Sequence, residues 1–464
     1  MKTLLPSNES IIKLCVEYAG DAAFLHGAKL RTSAFTVAEQ CEEGVLVFNT
    51  LTGELILLEP HEYRIFTEEC PEKADMDGVA GELARRLFLL PAEIDEFAFV
   101  DDLRFMYELK QKKRSRQHKY YIYTTTGCNA RCPYCFEEGV RPRTMNKETA
   151  LRAAEYMIEC SGGQKLFLVW FGGEPLMNKA AMDAICERLR GSGVEFESII
   201  KTNGYLFEPE GIAEYRSRCN LSFAQIPLDG MGEEYNGTKA YVNVPEGTDP
   251  YLRVMENIRS LLESGIRVDV RFNIGLKNAS ETAAILSELK RRFSSYEGFA
   301  VYPQVLNEGA FSAFTAIERR MLFEAQKSAY VFCRENGIRI ARGLYSLPSL
   351  KLHSCFADDP RFAGISPEGK LCKCPENPNS PHIFGDIFEG PANENEGEKA
   401  VVYEKHDWQC CRRCPFYPNC VNLRLCVARG RECDEFHRDF RLWKVKRIMR
   451  ETARAYSVGA SSVR

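Results

Sequence analysis

Residues 120–136 read YYIYTTTGCNARCPYCF and hold the most informative feature of this chain of 464 residues. The stretch begins as a short apolar run typical of a buried strand, and it ends in Cys128, Cys132 and Cys135, spaced C-x3-C-x2-C. Three thiolates on one short loop are soft ligands that suit an iron–sulfur cluster or zinc. Zinc would need a fourth ligand from elsewhere, whereas a four-iron cluster with three protein ligands leaves one iron open for a small molecule. The spacing alone leaves both alternatives open.

The residues that follow alternate between strand-like and helical patterns. Strand-like runs are predicted over 120–123, 166–171, 198–201, 221–226, 268–274 and 300–305. Amphipathic helices are predicted over 147–160, 178–190, 209–218, 251–264, 279–293 and 317–336. Six consecutive βα units predict an α/β fold with a parallel, barrel-like sheet over residues 116–340, in which the chemistry lies at the carboxyl ends of the strands.

Polar residues mark the ends of successive strands in this segment. The second strand runs into GGEP (172–175), the third into TNG (202–204), and the fourth and fifth carry Gln225 and Asn273. Glycines let the backbone approach a ligand closely, and the carboxylate of Glu174 can pair with an ammonium group. Each of these signals alone is typical of a turn. Together, and in this order, they predict a single pocket.

The segments on either side have a different character. Residues 1–115 contain a predicted hairpin, with strands over 45–50 and 54–58, and helical patterns over 61–69, 76–90 and 101–113. This predicts a small α+β unit, winged-helix-like. Residues 341–440 are rich in Cys, Pro, Asn and Gly and poor in long periodic segments, so that metal clusters would be needed to stabilise them. Residues 441–464 are predicted to be a helix followed by a tail.

The composition excludes several classes of protein. A formal net charge of −4 gives no overall basic field, so nucleic-acid binding is not expected. The N-terminus has no apolar run long enough for an export signal or a membrane span, which predicts a cytoplasmic protein that does not bind membranes. Nineteen cysteines, an odd number, in a reducing compartment argue against a disulfide framework. The grouped cysteines are therefore expected to bind metal.

The cysteine motif together with GGEP after the second strand resembles the radical S-adenosylmethionine (SAM) superfamily. This resemblance implies a partial (β/α)6 TIM barrel and a [4Fe-4S] cluster on Cys128, Cys132 and Cys135 whose fourth iron binds SAM. It implies reductive cleavage of SAM to a 5′-deoxyadenosyl radical that abstracts hydrogen from a substrate. The residues expected to contact SAM are Tyr134, Phe136, Gly172, Gly173, Glu174, Asn203, Gln225, Lys239 and Asn273.

Two positions depart from the superfamily's commonest pattern. Pro227 stands where a ribose-contacting Ser is frequent, and Lys239 stands where an Arg often reaches the carboxylate of SAM. A lysine can still act as a point charge, but it lacks the two-pronged geometry of arginine.

The C-terminal cysteines are similar to the SPASM iron–sulfur extension of peptide-modifying members of this superfamily, which binds two auxiliary [4Fe-4S] clusters. Carried over by position, the first auxiliary cluster would be held by Cys355, Cys374 and Cys426. The second would be held by Cys411, Cys414, Cys420 and Cys433. The first cluster would then have an open iron or take Cys372 as a further ligand. A zinc ribbon is the alternative for the same cysteines.

The N-terminal unit resembles the leader-binding element of enzymes that modify ribosomally synthesised peptides, where a hairpin edge receives the precursor as an extra strand. The leading hypothesis is a peptide maturase that forms a thioether or carbon–carbon crosslink, with a precursor peptide and a reduced flavodoxin or ferredoxin-type protein as partners. An anaerobic sulfatase-maturating enzyme, which forms formylglycine, is the alternative, but Pro375 follows Cys374 where that family has an Asp base. A non-catalytic, zinc-stabilised peptide-binding protein is the alternative of another class. The sequence identifies no catalytic base.

Overall fold

The computed structural model describes most of the chain outside several connecting segments. The described residues are 1–9, 11–13, 29–67, 77–111, 118–135, 137–306, 314–350, 361–373, 383–389, 404–405, 411, 414–420, 424–425 and 435–461. Five of the predicted site residues lie outside them, namely Phe136, Cys355, Cys374, Cys426 and Cys433. Within these ranges, no helix has both the length and the apolar character needed to cross a bilayer.

The N-terminal unit is built on a four-stranded antiparallel sheet in the order β1-β5-β4-β3. Its elements are β1 (Lys2–Leu5), β2 (Leu30–Thr32), β3 (Thr36–Cys41), β4 (Gly44–Asn49), β5 (Leu55–Leu58), α1 (Pro60–Thr67), α2 (Val79–Arg85), β6 (Leu89–Pro91) and α3 (Glu96–Gln111). The predicted hairpin is present as β4 and β5, with Val45 opposite Leu58. Both of its strands are interior, because β1 pairs with β5 and β3 pairs with β4.

The helix predicted over 76–90 is shorter than expected. It ends at Arg85, and Leu89–Pro91 form a strand that pairs with β2 instead. Leu87 adopts a left-handed backbone conformation with φ of 62°, which an α-helix cannot continue through. The apolar residues at 87–90 were consistent with either a helix or a strand. The left-handed conformation of Leu87 ends the helix, and residues 89–91 form a strand.

The central segment is a curved sheet of six parallel strands in which each strand pairs with the next along the chain. The strands are β7 (His118–Thr125), β8 (Leu166–Gly172), β9 (Phe196–Lys201), β10 (Leu221–Leu228), β11 (Arg267–Ile274) and β12 (Phe299–Val305). The helices are α4 (Lys147–Ser161), α5 (Lys179–Ser192), α6 (Ile212–Arg218), α7 (Gly232–Lys239), α8 (Pro250–Glu263), α9 (Thr282–Phe293) and α10 (Ala316–Glu335). All six predicted strands and the partial-barrel fold class are confirmed. Helix α7 was not predicted.

Side-chain alternation divides the sheet into two faces. On β11, the alternate residues Val268, Val270, Phe272 and Ile274 are buried in the main hydrophobic core against the helices. The residues between them point to the opposite, concave face, which we call the lumen. Aromatic side chains of β7 and β8, including Tyr121, Tyr123 and Phe171, form a separate cluster on that face. The lumen is therefore partly aromatic and partly polar.

The cysteine-rich region extends the barrel sheet. Its described elements are β13 (Phe362–Ile365), β14 (Lys370–Cys372), β15 (Ile383–Asp386), β16 (Glu404–Lys405), β17 (Arg424–Leu425) and α11 (Glu435–Ser461). Strand β13 pairs in parallel with β7, and β14 and β15 follow, which gives a sheet of nine strands. The predicted boundary at residue 340 therefore does not separate two sheets.

The segment 414–420 packs against the N-terminal unit. Phe416 is buried with Phe48 of β4, and the Tyr417 ring lies 4.8 Å from that of Phe97. The Arg104 guanidinium donates to the carbonyl oxygen of Tyr417 at 2.9 Å. A predicted cluster-binding loop and the N-terminal sheet thus share one apolar contact.

Candidate active site

The three cysteines of the first motif lie on the loop that leaves the carboxyl end of β7. Their thiols are partly exposed, and the backbone turns back on itself where the N–H of Cys135 donates to the carbonyl of Cys132 at 3.1 Å. Burial raises the pKa of the Cys128 thiol to about 12, and the neighbouring Glu174 carboxylate and the other two thiols add to this effect. A bound metal would reverse this, because a cationic centre favours the thiolate. Within the described ranges, no three His, Cys, Asp or Glu side chains already surround one metal position.

The glycines after β8 allow this loop to pack tightly. A Cβ atom on Gly172 or Gly173 would collide with the backbone oxygen of Thr125 or Gly127, respectively. The close approach is held by two hydrogen bonds, from Gly173 N to Thr125 O at 3.1 Å and from Glu174 N to Gly127 O at 2.9 Å. The close packing of this loop therefore requires glycine at both positions, and the contact of these glycines with SAM stays a prediction.

The Glu174 carboxylate joins the ends of two strands. It is completely buried and accepts hydrogen bonds from Leu176 N at 3.1 Å, Thr202 Oγ1 at 2.7 Å and Asn203 N at 2.8 Å. Burial raises its pKa to about 7, although these three donors lower it. Since protein donors already occupy the carboxylate, pairing with an ammonium group also stays a prediction.

Asn203 connects the end of β9 to the cysteine loop. Its side-chain Nδ2 lies 2.7 Å from Asn129 Oδ1 and 3.9 Å from the sulfur of Cys128. Its Oδ1 accepts from the N–H of Tyr205 at 3.0 Å, which fixes the orientation of the amide. A residue predicted only from its place at a strand end is thus in contact with one predicted cluster ligand, Cys128.

A buried network holds Tyr134, which lies between Cys132 and Cys135. The hydroxyl of Tyr134 donates to Asp229 Oδ1 at 2.7 Å and accepts from the Lys239 ammonium at 3.1 Å. Asn273 Nδ2 donates to the same Asp229 oxygen at 2.8 Å. Three of the residues predicted to contact SAM, on β11, α7 and the cysteine loop, therefore meet around one carboxylate.

Sequence reasoning assigned no role to Asp229 or to Asn278. Asp229 follows β10 directly, and Asn278 Nδ2 donates to its carbonyl oxygen at 2.6 Å and to that of Asn273 at 2.9 Å. An acidic residue at the end of a barrel strand was the available signal for Asp229. Gln225 lies on the lumen side of β10, and within the described part of the chain its side chain has no hydrogen-bond partner.

The pocket has the features that a SAM-binding [4Fe-4S] cluster requires. Three thiols stand on one loop with side chains partly open to solvent. Two buried polar atoms beside them, Asn129 Nδ2 and Asn273 Oδ1, have no hydrogen-bond partner within the described residues. Unsatisfied buried polar atoms are rare, and a polar ligand is one reason for them. The residues present therefore fit the group that the cysteine motif predicts.

The second group of cysteines is described only in part. Cys411, Cys414 and Cys420 lie close together in sequence and are partly buried, with the N–H of Cys414 donating to the carbonyl of Cys411 at 3.0 Å. Burial raises the pKa of the Cys414 thiol. Cys372 is buried on β14 against the aromatic cluster of the lumen. The auxiliary clusters themselves stay a prediction.

Comparison with known proteins places the central segment in a family. Residues 122–287 match the sequence profile of the Radical SAM superfamily. Fe-coproporphyrin III synthase of Methanosarcina barkeri is 26% identical over 169 residues, which are 36% of this chain and 39% of that protein. Pre-heme d1 synthase of Dinoroseobacter shibae is 24% identical over 166 residues, which are 35% of this chain and 38% of that protein. The match thus spans well under half the length of these relatives.

The fold is also similar to that of a solved structure, native anSMEcpe with bound AdoMet. The TM-score is 0.58 at 13% identity, and the match covers 73% of this chain and all of that one. A second structure of anSMEcpe, with bound AdoMet and Cp18Cys peptide, gives a TM-score of 0.54. The cysteine loop and the strand-end residues thus lie in a segment, residues 122–287, that is similar to the Radical SAM superfamily, and the fold around it is similar to that of anSMEcpe.

Proposed function

We propose that this protein cleaves SAM reductively and uses the resulting radical to install a thioether or carbon–carbon crosslink in a ribosomally synthesised peptide. The observation that carries the peptide part is an antiparallel sheet whose outer strand β3 pairs, among the described residues, with a strand on one side only. The cofactor part is supported by the cysteine loop and its surroundings.

Cys128, Cys132 and Cys135 would hold the cluster, and SAM would lie over the strand ends that carry Asn203 and Asn273. When bound, this cofactor pair supplies a carbon radical able to abstract hydrogen. The chain's own residues would orient the cofactor and the substrate, and they would exclude water. The Glu174 carboxylate fixes the end of β9 against that of β8, and the buried Asp229 fixes the ring of Tyr134.

The N-terminal unit would bind the peptide along β3, and not along the hairpin predicted from the sequence. Both edges of β4 and of β5 pair with neighbouring strands. Among the described residues, no strand pairs with the outer edge of β3. A cavity of about 360 Å³ beside this edge is lined by Ala38, Glu39, Gln40, Val45, Tyr63 and Lys446. Free backbone N–H and C=O groups on an edge strand are the usual basis for binding an extended peptide. The structure of anSMEcpe with a bound peptide supports a peptide as the substrate class.

The C-terminal cysteines would bind two auxiliary [4Fe-4S] clusters that pass electrons. Hydrogen abstraction followed by bond formation removes one hydrogen atom to the 5′-deoxyadenosyl radical and releases one proton and one electron. The proton would pass to solvent, and a nearby cluster would accept the electron. We propose a reduced flavodoxin or ferredoxin-type protein as the donor to the first cluster. No residue is assigned as the catalytic base.

The cofactor part is tested with anaerobic protein whose iron and sulfide have been restored, mixed with SAM and dithionite. We expect release of 5′-deoxyadenosine, measured by chromatography, and no release from the variant C128A/C132A/C135A. Failure of the wild-type protein to release it under these conditions would overturn the cofactor part.

The peptide part is tested by mass spectrometry of candidate peptides translated from short open reading frames beside the one that encodes this protein. A crosslink removes two hydrogen atoms and leaves no aldehyde, so a hydrazine probe should not label the product. Labelling by that probe would instead indicate formylglycine, the product of the alternative function. An unchanged peptide mass beside continued release of 5′-deoxyadenosine would contradict that peptide as the substrate.

A further inference from the structure

Arg271 is a lumen residue close to the predicted cofactor site. On β11 it lies between Val270 and Phe272, both of which are buried against the helices, so its side chain leaves from the opposite face. Two residues further along the same face is Asn273, which contacts Asp229 and the hydroxyl of Tyr134. Arg271 is therefore about 7 Å along the strand from a residue that contacts the cysteine loop.

The described residues around Arg271 include aromatic rings but no carboxylate that forms an ion pair with it. Its guanidinium carbon lies 5.7 Å from the centre of the Tyr302 ring, which is opposite it on β12. On the other side it is opposite Pro227 of β10, which offers no side-chain acceptor. Within the described part of the chain, Arg271 forms no ion pair, and its buried Nε has no hydrogen-bond partner.

A second cation lies on the same face of the sheet. The ammonium of Lys201, at the end of β9, is 5.2 Å from the centre of the Tyr121 ring and 5.1 Å from that of Phe171. The wall of the lumen below the cysteine loop thus combines Arg271 and Lys201 with aromatic rings. The Asp269 carboxyl, two residues before Arg271 on the same face, forms no ion pair with Arg271 within the described residues. A buried guanidinium N–H without an acceptor is unfavourable, and a carboxylate is the group that matches its planar, two-pronged geometry.

We infer that Arg271 determines substrate specificity by binding a carboxylate of the peptide that enters the lumen. This rests on the proposed function for the identity of the substrate as a peptide. The carboxylate belongs to an acidic side chain or to the C-terminus, since both present the same chemistry to a guanidinium. About two residues of extended peptide beyond this anchor would reach the level of Asn273, where the radical chemistry is expected.

The test measures binding and needs no turnover. The probes are three peptides, namely acetyl-Ala-Ala-Glu-Ala-amide, acetyl-Ala-Ala-Gln-Ala-amide and acetyl-Ala-Ala-Gln-Ala with a free C-terminus. Each is titrated by saturation-transfer NMR against anaerobic holoprotein loaded with SAM, without reductant. The proteins are the wild type, Arg271→Gln, Arg271→Lys and Arg267→Gln. Arg267 is the matched control, because it is an arginine of the same strand but is solvent-exposed.

We expect one of the two acidic probes to bind the wild type at least about tenfold more tightly than the neutral peptide, which corresponds to about 1.4 kcal/mol. Arg271→Gln should abolish this preference, Arg271→Lys should keep part of it, and Arg267→Gln should leave it unchanged. The acidic probe that binds more tightly shows whether the recognised carboxylate belongs to an acidic side chain or to a C-terminus.

Equal binding of the acidic and neutral probes to the wild type, including no detectable binding of either, would overturn the inference. So would a preference that survives in Arg271→Gln. Retained SAM binding and an unchanged circular dichroism spectrum would show that Arg271→Gln is folded. If Arg271→Gln is not folded, the same comparison is made with Arg271→Lys, which should then show a reduced preference for the acidic probe. Release of 5′-deoxyadenosine is measured separately, so a failure of the cofactor chemistry is distinguishable from a failure of carboxylate recognition.

Discussion

The ammonium of Lys239 lies 2.8 Å from Oδ2 of Asp229, and both side chains are at most 2% exposed. The arrangement is an ion pair without hydrogen-bond geometry, since that oxygen has no hydrogen-bond donor within the described residues. Burial alone would lower the pKa of Lys239, but the Asp229 carboxylate and the Tyr134 hydroxyl hold it well above its ordinary value. The lysine that replaces the superfamily's frequent arginine is therefore fully charged and is placed between the cysteine loop and the barrel.

Removal of one member of this pair should destabilise the protein strongly. We expect Asp229→Asn or Lys239→Met to lower stability by about 3 kcal/mol or more, because each leaves one component of a buried charge pair without compensation. The double variant should be less destabilised than the sum of the two. Urea unfolding of the metal-free chain measures this, and additive single effects would contradict direct coupling between the two residues.

Gly173 should tolerate no side chain. Gly173→Ala places a Cβ against the backbone oxygen of Gly127, so we expect a loss of about 1–3 kcal/mol and weaker SAM binding. Gly191→Ala is the matched control, since a Cβ there meets no atom within 4 Å and the residue lies in helix α5. That control should be neutral or slightly stabilising, owing to the higher helix propensity of alanine. Equal midpoints of thermal unfolding for the two variants would show that the close approach of the two loops is not required.

The auxiliary clusters can be counted. If Cys411, Cys414 and Cys420 ligate one cluster, C411A/C414A/C420A should hold about four fewer iron atoms per chain than the wild type after reconstitution. The measurement is iron per chain, with the Cys160→Ala variant as a control because Cys160 lies on helix α4. A wild-type value of about four iron atoms would remove both auxiliary clusters from the proposed function.

The docking of the N-terminal unit should depend on Tyr417. Its hydroxyl is 2.9 Å from Asp101 Oδ1, and its ring packs edge-on against Phe97. We expect Tyr417→Phe to cost about 1 kcal/mol, through loss of the hydrogen bond alone. Tyr417→Ala should cost about 3–5 kcal/mol, because it also removes the ring. Hydrogen exchange in β4 and α3 checks this, since faster exchange in the alanine variant than in the phenylalanine variant is expected, and equal exchange would contradict it.

Asp269 should make stability depend on pH. Burial raises its pKa from the ordinary 3.8 to about 6, partly offset by Arg267. The folded protein therefore takes up a proton at a pH where the unfolded chain has lost it, and stability falls as the pH rises from about 4 to about 6 and stays lower above that range. The Asp269→Asn variant has no carboxyl at this position, so its stability does not fall for this reason as the pH rises.

We thus expect Asp269→Asn to gain stability over the wild type as the pH rises from about 4 to about 6, with a final difference above that range on the order of 2 kcal/mol after allowance for partial exposure. Urea midpoints measured across this range provide the test. A difference between the two proteins that does not change with pH would show that Asp269 titrates normally.

The strands of the barrel were predictable because each carries its own signal. β8 is an apolar run that ends at a glycine, whereas β11 alternates apolar and polar residues, and each pattern is complete within eight residues. The same holds for the cysteine loop, whose three cysteines lie within eight residues. Helix α7 carried too weak an apolar pattern to be predicted, since only Tyr235 and Lys239 of its residues are buried.

The covering of the hairpin could not be predicted locally. Strand β1 lies at the extreme N-terminus and β3 precedes the hairpin, and neither showed a pattern strong enough to indicate that it would pair with β5 or β4. The packing of Tyr417 on Phe97 joins residues separated by 320 positions in the chain, and no local pattern in either segment reports the other.

The sequence by itself indicated the resemblance of residues 122–287 to the Radical SAM superfamily, the six barrel strands and the cysteines of the first motif, because these depend on spacing and on periodicity within short segments. Only the tertiary structure decided that Lys239 is ion-paired with Asp229, that Glu174 is bound by three protein donors, and that Arg271 faces the lumen with no ion-pair partner among the described residues. Those facts are properties of distances between strands, and a side chain's charge or pKa is set by the neighbours that folding brings to it.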